Sequence, residues 1–448
     1  MTFGTIRQAM GTFATGALAL GIVALAPSLA RAQGNAGARP ISLEEAVRLA
    51  QQNSPLTVQA RNANRTSESA VRASLAQFLP TAAFSYSGNQ AGGTQFVQGT
   101  PVPTTGLPWS YSRSLSSNFT LYDGGQRNYN LRAAQANLES AGANEVAQRY
   151  SVALTVKTQY FNVLAANEQL AASKQLLEQA QQQLTVASAK MKAGVATLAD
   201  SLTSAIAVGN AKLSILTAEN SLRNANAALT RLVASPVMVT ATLADTMDTG
   251  KVELDEAQLL SMVSDGPSVR QSTQALEAAR AQHKAATTPY MPTLALNASY
   301  GQNPKQSQNF NFGGGPTATS TRFGLSLNYT IFNNYTREQS LLVARVNAEN
   351  AEANLRDAKA LVVQNLTTFL SNYRTAQSTI ELQLLTIQSA REALRVVQQR
   401  YNLGTSSLLE VLQAETTLDN ARAQLINARV NARIAKANIE ALIGRDLK

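Results

Sequence analysis

The chain has 448 residues with 38 basic and 28 acidic side chains, a formal charge of +10, one His and no Cys. That inventory excludes disulfide staples, a lipid-modified cysteine, and any Cys-based nucleophile or Cys/His metal centre. Only 15% of residues are charged, low for a helical protein covered by water alone, and the basic residues are spread along the chain, which argues against a nucleic-acid interface.

Residues 1–32 hold the basic Arg7, an apolar run over 17–26 and the sequence Ala30-Arg31-Ala32. This pattern reads as a secretory signal peptide, so the mature chain is expected to begin near Gln33. No later segment reaches the ~18 consecutive apolar residues of a membrane-spanning helix. Any crossing of a bilayer must then be made by a closed β-barrel.

The remainder contains itself twice. Asn53-Ser54-Pro55-Leu56 returns as Asp265-Gly266-Pro267-Ser268, Leu79-Pro80 as Met291-Pro292, and Leu121-Tyr122-Asp123 as Ile331-Phe332-Asn333, each about 210 residues later. A repeat of that length is a whole structural unit. The expected organisation is a first repeat over 33–232, a linker over 233–265 and a second repeat over 266–448.

Within each repeat the order is a short helical lead, a proline, a charge-poor segment and a long helical hairpin. Residues 81–122 and 290–335 hold 15 of the chain's aromatic residues but only three charges, Arg113, Lys305 and Arg322. In the second, Phe323, Leu325, Leu327, Tyr329 and Ile331 alternate with small or polar residues, the period of a half-exposed strand. Each segment is expected to form a β-hairpin, 81–122 and 292–332, of two strands of roughly ten residues, a length that suits tilted membrane strands. The joining loops are placed at 91–112 and 303–319. Tyr122, Phe332 and Tyr335 near the strand ends fit an interfacial aromatic girdle.

Residues 126–192 and 336–401 lack proline and favour helix. At ~1.5 Å per residue each is roughly 100 Å long. Gly194 and Gly404 are placed at the reversals, since glycine readily adopts the left-handed conformation that ends a helix. The returning helices are expected to start near Thr197 and Ser406, with Asp200 and Glu410 in their first turns, where the helix dipole favours a carboxylate. Leu418, Ala421, Leu425, Ala428, Ala432, Ala435, Ile439 and Leu442 then follow a three-four spacing, and the positions 210 earlier, from Val208 to Leu232, are apolar as well. Between the repeats, Pro236, Val237, Val239 and Thr240 read as a short strand, followed by an acidic stretch of Asp245, Asp248, Glu253, Asp255 and Glu256 opposed by Lys251.

Two hairpins supply four strands per chain, too few to close a membrane barrel, so the chain is expected to oligomerise. Two copies give eight strands around a filled interior. Three give twelve and begin to leave a lumen. The competing expectation is a periplasmic coiled-coil scaffold without a pore.

The Tyr122-Asp123-Gly124-Gly125 turn, and above all Tyr401-Asn402-Leu403-Gly404-Thr405 followed by Leu409-Glu410-Val411-Leu412-Gln413-Ala414, resembles the TolC-like outer-membrane factors over nearly all of the mature chain. The resemblance implies a mainly α fold with a membrane β-barrel portion: a homotrimer whose twelve-stranded barrel, four strands per chain, continues into an α-helical tunnel through the periplasm. It implies the outer membrane and its lipid as the setting, and the exit duct of a tripartite efflux or type I secretion system as the function. The partners it implies are a periplasmic adaptor (membrane fusion) protein and an inner-membrane pump of RND, ABC or MFS type. The linker becomes an equatorial belt.

On this basis the adaptor is expected at the exposed turns, Gly194, Val195, Ala196 and Thr197 with Leu403, Gly404, Thr405 and Ser406. Asp200 and Glu410, three copies of each, are the candidate gate. Tyr401 is expected to hydrogen-bond a carboxylate such as Asp200 and hold the tip closed. Gln413 stands where the family often has a second acid. The plain alternative is that both acids complement helix dipoles while Tyr401 packs between helices.

No enzyme is expected. The lone His283 is read as a solvated surface residue, and no Cys/His or Ser/His set accompanies it. Gly313-Gly314-Gly315 lacks the following Lys-Ser/Thr of a phosphate-binding loop. No cofactor, metal or nucleic acid is implied.

Overall fold

The computed structural model describes residues 38–90, 94–103, 109–242, 255–304 and 317–447. The signal-peptide segment and the acids Asp245, Asp248 and Glu253 lie outside them, as do Lys251, Lys305 and the Gly313-Gly314-Gly315 run. The chain begins with β1 (Arg39–Ile41), α1 (Leu43–Asn53) and α2 (Pro55–Ala76). Ser42 caps α1 through its hydroxyl, and Pro55 opens α2 at a position that has no intrahelical N–H bond to lose.

After Pro80 the chain turns to strand: β2 (Thr81–Asn89), a small hairpin of β3 (Thr94–Val97) and β4 (Thr100–Pro103), and β5 (Ser110–Tyr122). The small hairpin corrects the expectation of a plain loop over 91–112. The Gln98-Gly99 pair turns it with positive φ at both residues, the geometry that a tight hairpin demands.

Helix α3 (Gln126–Lys192) and α4 (Leu198–Val233) form the first long hairpin. Strand β6 (Val239–Ala241) pairs in parallel with β1, and α5 (Glu256–Ser264) and α6 (Pro267–Thr287) lead into the second repeat. Strands β7 (Thr293–Pro304) and β8 (Thr317–Asn328) then precede α7 (Thr336–Asn402) and α8 (Leu408–Ile443).

The duplication is visible in the core. Val152, Val156 and Tyr160 of α3 pack with Leu229 and Val233 of α4 beneath β1 and β6. In the second repeat Val362, Leu366 and Leu370 pack with Ile439 and Ile443. Each of these second-repeat residues stands 210 positions after its counterpart. Both clusters sit about midway along a long helix, so the fold is held at its waist. Tyr160, fully buried, donates to the Ile41 carbonyl at 3.0 Å and accepts from the Thr242 amide at 3.1 Å, locking the two short strands onto α3. Lys157 bridges the repeats to Glu440 of α8 at 2.6 Å and to Asp446 at 3.3 Å. Burial works to lower the Lys157 pKa, but the Glu440 bond and the two carboxylate charges raise it above the ordinary lysine value. None of the sixteen heptad positions is exposed. Their many alanines let the paired helices approach closely.

The four long strands make one antiparallel sheet in the order β2-β5-β7-β8. Register assigns every residue to a face. Phe84, Tyr86, Tyr111, Leu115, Phe119, Leu296, Tyr300, Phe323, Leu325 and Leu327 share one side. Ser85, Ser87, Ser112, Ser114, Ser116, Asn118, Asn297, Ser299, Ser326 and Asn328 share the other, where Ser85–Ser114 and Ser87–Ser112 hydroxyl pairs lie 2.7 Å apart. The apolar side is bare: Phe323 is 77% and Leu327 70% exposed.

Strand β8 ends at Asn328, short of the alternation expected through Ile331. Its last partner is Thr293, and Pro292 before that residue has no N–H to extend the ladder. The junctions to the long helices differ between repeats. In the first, Asp123 accepts from the Gly125 amide and pairs with Arg127 at 2.8 Å, while a Cβ on Gly124, at φ +68°, would meet the Met291 side chain at 2.9 Å. In the second, Asn334 and Tyr335 adopt positive φ without being glycine. His283 is half-buried with its Nε2 enclosed and without a partner among the described residues, which corrects its reading as a solvated side chain.

Candidate functional site: the hairpin tips

Both hairpins reverse by the same device. Gly194 and Gly404 have φ of +76° and +77°, and no atom lies within 4 Å of where a Cβ would stand. The backbone conformation alone therefore selects glycine. Their amides donate to the Met191 and Tyr401 carbonyls, and the Val195 and Thr405 amides reach back to Lys190 and Arg400. Val195, Leu198, Leu403 and Leu409 around the turns are all more than half exposed. The tips are bare apolar knobs on capped helices.

Each returning helix opens with a reciprocal cap. The Thr197 hydroxyl accepts from the Asp200 amide at 3.2 Å, and Asp200 Oδ2 accepts from the Thr197 amide at 3.0 Å and the Thr197 hydroxyl at 2.8 Å. In the second tip Glu410 accepts from the Ser407 amide and hydroxyl, and from the Ser406 hydroxyl at 2.7 Å. The N-cap is Ser407 rather than the expected Ser406, because the two-way bond needs the acid three residues after the cap. The Ser406 hydroxyl bond, then the Ser407 bonds, hold the Glu410 carboxyl below its ordinary pKa. Gln413 follows on the same helix face, exposed.

Tyr401 does not hydrogen-bond Asp200. Asp200 Oδ2 accepts from the Thr197 amide and hydroxyl instead, and the Tyr401 hydroxyl is enclosed without a partner among the described residues. Burial raises the Tyr401 pKa, with a further push from the Asp200 charge. The contact Tyr401 does make is with Lys190 of α3, whose ammonium lies 3.9 Å from the ring centre. Ser188 and Ser201 meet at 3.2 Å between α3 and α4.

Sequence reasoning missed Glu415 and Asp419. Glu415 is 7% exposed, on α8 between the buried Val411 and Leu418. Burial raises its pKa, as does the Asp419 charge, against a bond from Gln398. Burial likewise raises Asp419, against Arg422 at 3.4 Å. Carried back from Leu418, the three-four spacing reaches Ala414 and Val411 and passes Glu415 by one position, so the sequence pattern gave no signal for its burial. Of the acidic linker, Asp255 caps α5 and Glu256 pairs with Arg374 at 3.1 Å. Among the described residues no three acidic or histidine side chains gather as a metal set.

A family model described as outer membrane efflux protein matches residues 46–235 and 262–445. The Outer membrane protein TolC of Escherichia coli (strain K12) is 26% identical over 329 residues, 70% of this chain and 66% of that protein. The chain thus spans about two-thirds of that relative's length. Among solved structures, CusC superposes with a TM-score of 0.78 at 19% identity, covering 91% of this chain and 94% of that one. VceC from Vibrio cholerae gives 0.76 at 18% identity, covering 91% and 97%. These share the strand-plus-helical-hairpin fold described above. The chain belongs to the outer membrane efflux protein family, and its place in the cell is the outer membrane.

Proposed function

We propose that this chain is one third of an outer-membrane channel-tunnel, the passive exit duct of a tripartite efflux or type I secretion system. The observation that carries the reading is the four-stranded sheet. One face is apolar and bare, the other is Ser/Asn-lined, and both edges, β2 and β8, lack partners among the described residues. Open strand edges do not persist in hydrocarbon, so the sheet must close on further copies. Three copies give twelve strands, with the apolar faces toward lipid and the hydroxyl faces around a lumen. The 67-residue helices, roughly 100 Å long, carry that lumen across the periplasm.

The bare tips are the proposed docking surface for a periplasmic adaptor, whose helical hairpin would pair with Val195, Leu403 and their neighbours end to end. An inner-membrane pump of RND, ABC or MFS type supplies the energy. The linker, of which residues 233–242 and 255–265 are described, is the proposed belt at the waist. Asp200 and Glu410, each held in a capping box, recur three times each near the tunnel end and favour cations there, because converging like charges raise local counter-ion concentration. Gln413 removes a second acid beside Glu410, which leaves Glu410 as the main contributor.

Gly404→Pro tests the docking reading, since proline cannot adopt φ near +77°. Export should be lost while trimers and membrane insertion persist. Normal export by normal trimers would move the adaptor site elsewhere. Glu410→Ala should weaken cation selectivity at the tunnel end, and unchanged selectivity would reduce Glu410 to a cap.

A further inference from the structure

The sheet carries a feature that the duct reading does not use. Residues 81–122 and 290–335, strands and loops together, contain no Asp or Glu and three cations. Of these, Lys305 lies outside the described residues. Arg113 lies opposite Tyr86 and Gln302, on the same face as Tyr111 and Leu115. It stands toward the loop end of the sheet, where a long cationic side chain reaches the membrane interface.

Arg322 is different. Register places it opposite Ser299, which lies opposite Ser116, which lies opposite Ala83. That row crosses the middle of β5, β7 and β8 and the start of β2 on the hydroxyl-bearing face, with Ser320, Gly324, Ser326 and Asn328 along the same side of β8. Arg322 is exposed, and its guanidinium makes no ion pair or hydrogen bond among the described residues. The first carboxylate beyond β5, Asp123, is already bound by Arg127.

We propose that Arg322, repeated around the lumen of the assembled barrel, is an anion-binding site that makes the outer section of the duct selective for anionic cargo. The inference rests on the trimeric barrel of the preceding section. There, three guanidinium groups share one level of a lumen whose other described residues are neutral, mostly Ser, Thr and Asn with a few Ala and Gly. Guanidinium stays protonated and presents a planar fork of N–H donors matched to carboxylate, phosphate and sulfonate oxygens. With no carboxylate in the barrel to neutralise it, the ring sets the sign of the potential, and low-dielectric walls focus that potential on the axis. Rings of Arg or Lys are the general means by which pores favour anions. The class of solute indicated is one bearing a carboxylate, phosphate or sulfonate group.

The test uses wild-type, Arg322→Ser, Arg322→Lys and Arg322→Glu trimers in planar bilayers under a potassium chloride gradient, with inorganic triphosphate added on the side of the strand loops. The chloride-to-potassium permeability ratio should fall by roughly two-fold or more in Arg322→Ser, fall further in Arg322→Glu and hold in Arg322→Lys. Triphosphate block should weaken by roughly ten-fold in Arg322→Ser. Unchanged ratio and block in Arg322→Ser, with normal unitary conductance, would overturn the site while leaving the duct standing. Absence of unitary conductance from wild-type trimers would overturn the duct reading and this site with it.

Discussion

The Lys190 ammonium lies over the face of the Tyr401 ring at 3.9 Å and also donates to the Tyr401 carbonyl oxygen. One side chain of the first repeat thereby grips both the ring and the helix end of the second. That carbonyl, at the helix C-terminus, already accepts from the Gly404 amide in the turn, so the cation adds a second donor at the negative end of the dipole and meets the π-face as well. Lys190→Met should remove both contacts and destabilise the paired tips by about 1 kcal/mol. Faster amide exchange at Gly194 and Gly404 would report it, together with a larger closed-state leak. Tyr401→Phe removes only a hydroxyl that has no partner, so its leak should match wild type. A leak in Tyr401→Phe equal to that of Lys190→Met would restore a role to the hydroxyl.

The two sheet faces predict opposite outcomes for neighbouring substitutions. Leu327→Arg puts a charge on the bare apolar face one residue from the end of β8 and should cost up to ~1 kcal/mol of membrane stability there, whereas Phe323→Arg, on the same face beside the middle of the strand, should cost ~2 to 4 kcal/mol. Asn328→Arg faces the proposed lumen and should insert normally. Urea titration of the folded barrel in lipid vesicles measures all three. Equal losses would mean that the faces are reversed or that the sheet is not in lipid.

Glu415 gives the tips a pH dependence of definite sign. Its carboxyl pKa is raised in the fold, chiefly by burial. The native state therefore holds a proton that the unfolded chain has released, and stability falls as pH rises from the ordinary glutamate value through the raised one. Asp419, raised by burial too, acts in the same direction. Glu415→Gln should raise the thermal midpoint at pH 8 and leave it unchanged at pH 4. An equal gain at both values would assign the effect to packing rather than to ionisation.

The caps are separable from any gate. Thr197→Ala and Ser407→Ala each remove the hydroxyl that accepts from the third helical amide, and each should cost about 1 kcal/mol. Exchange should rise at the first turns of α4 and α8 while both carboxylates remain in place. If Ser407→Ala changed ion selectivity as strongly as Glu410→Ala, the charge would be acting through its position in the cap.

Much of this architecture was written in the spacing of a few residues. The glycines at 194 and 404, the proline-free stretches and the alternation of Phe323, Leu325 and Leu327 each have one physical reading, because φ, hydrogen-bond donors and side-chain period leave little choice. What stayed hidden depends on long-range pairing. The β1–β6 strand pair joins residues about 200 apart, and nothing local in Arg39-Pro40-Ile41 marks it as strand. The Lys190–Tyr401 contact is of the same kind, since a lysine in a last helical turn has an adequate local account in the dipole. Asp200 and Tyr401 were paired in expectation because both stand near a turn. The capping box, which is local, instead turns one carboxylate oxygen of Asp200 to Thr197.

The central claim is that three chains close their sheets into one conducting barrel. Purified protein reconstituted in planar bilayers, with its oligomeric state set by native mass spectrometry of the same sample, tests it directly. The account predicts a trimer that dissociates on heating and inserts in discrete, uniform conductance steps. A monomer or dimer, or a trimer that associates with lipid without conducting, would contradict it and favour a scaffold without a pore.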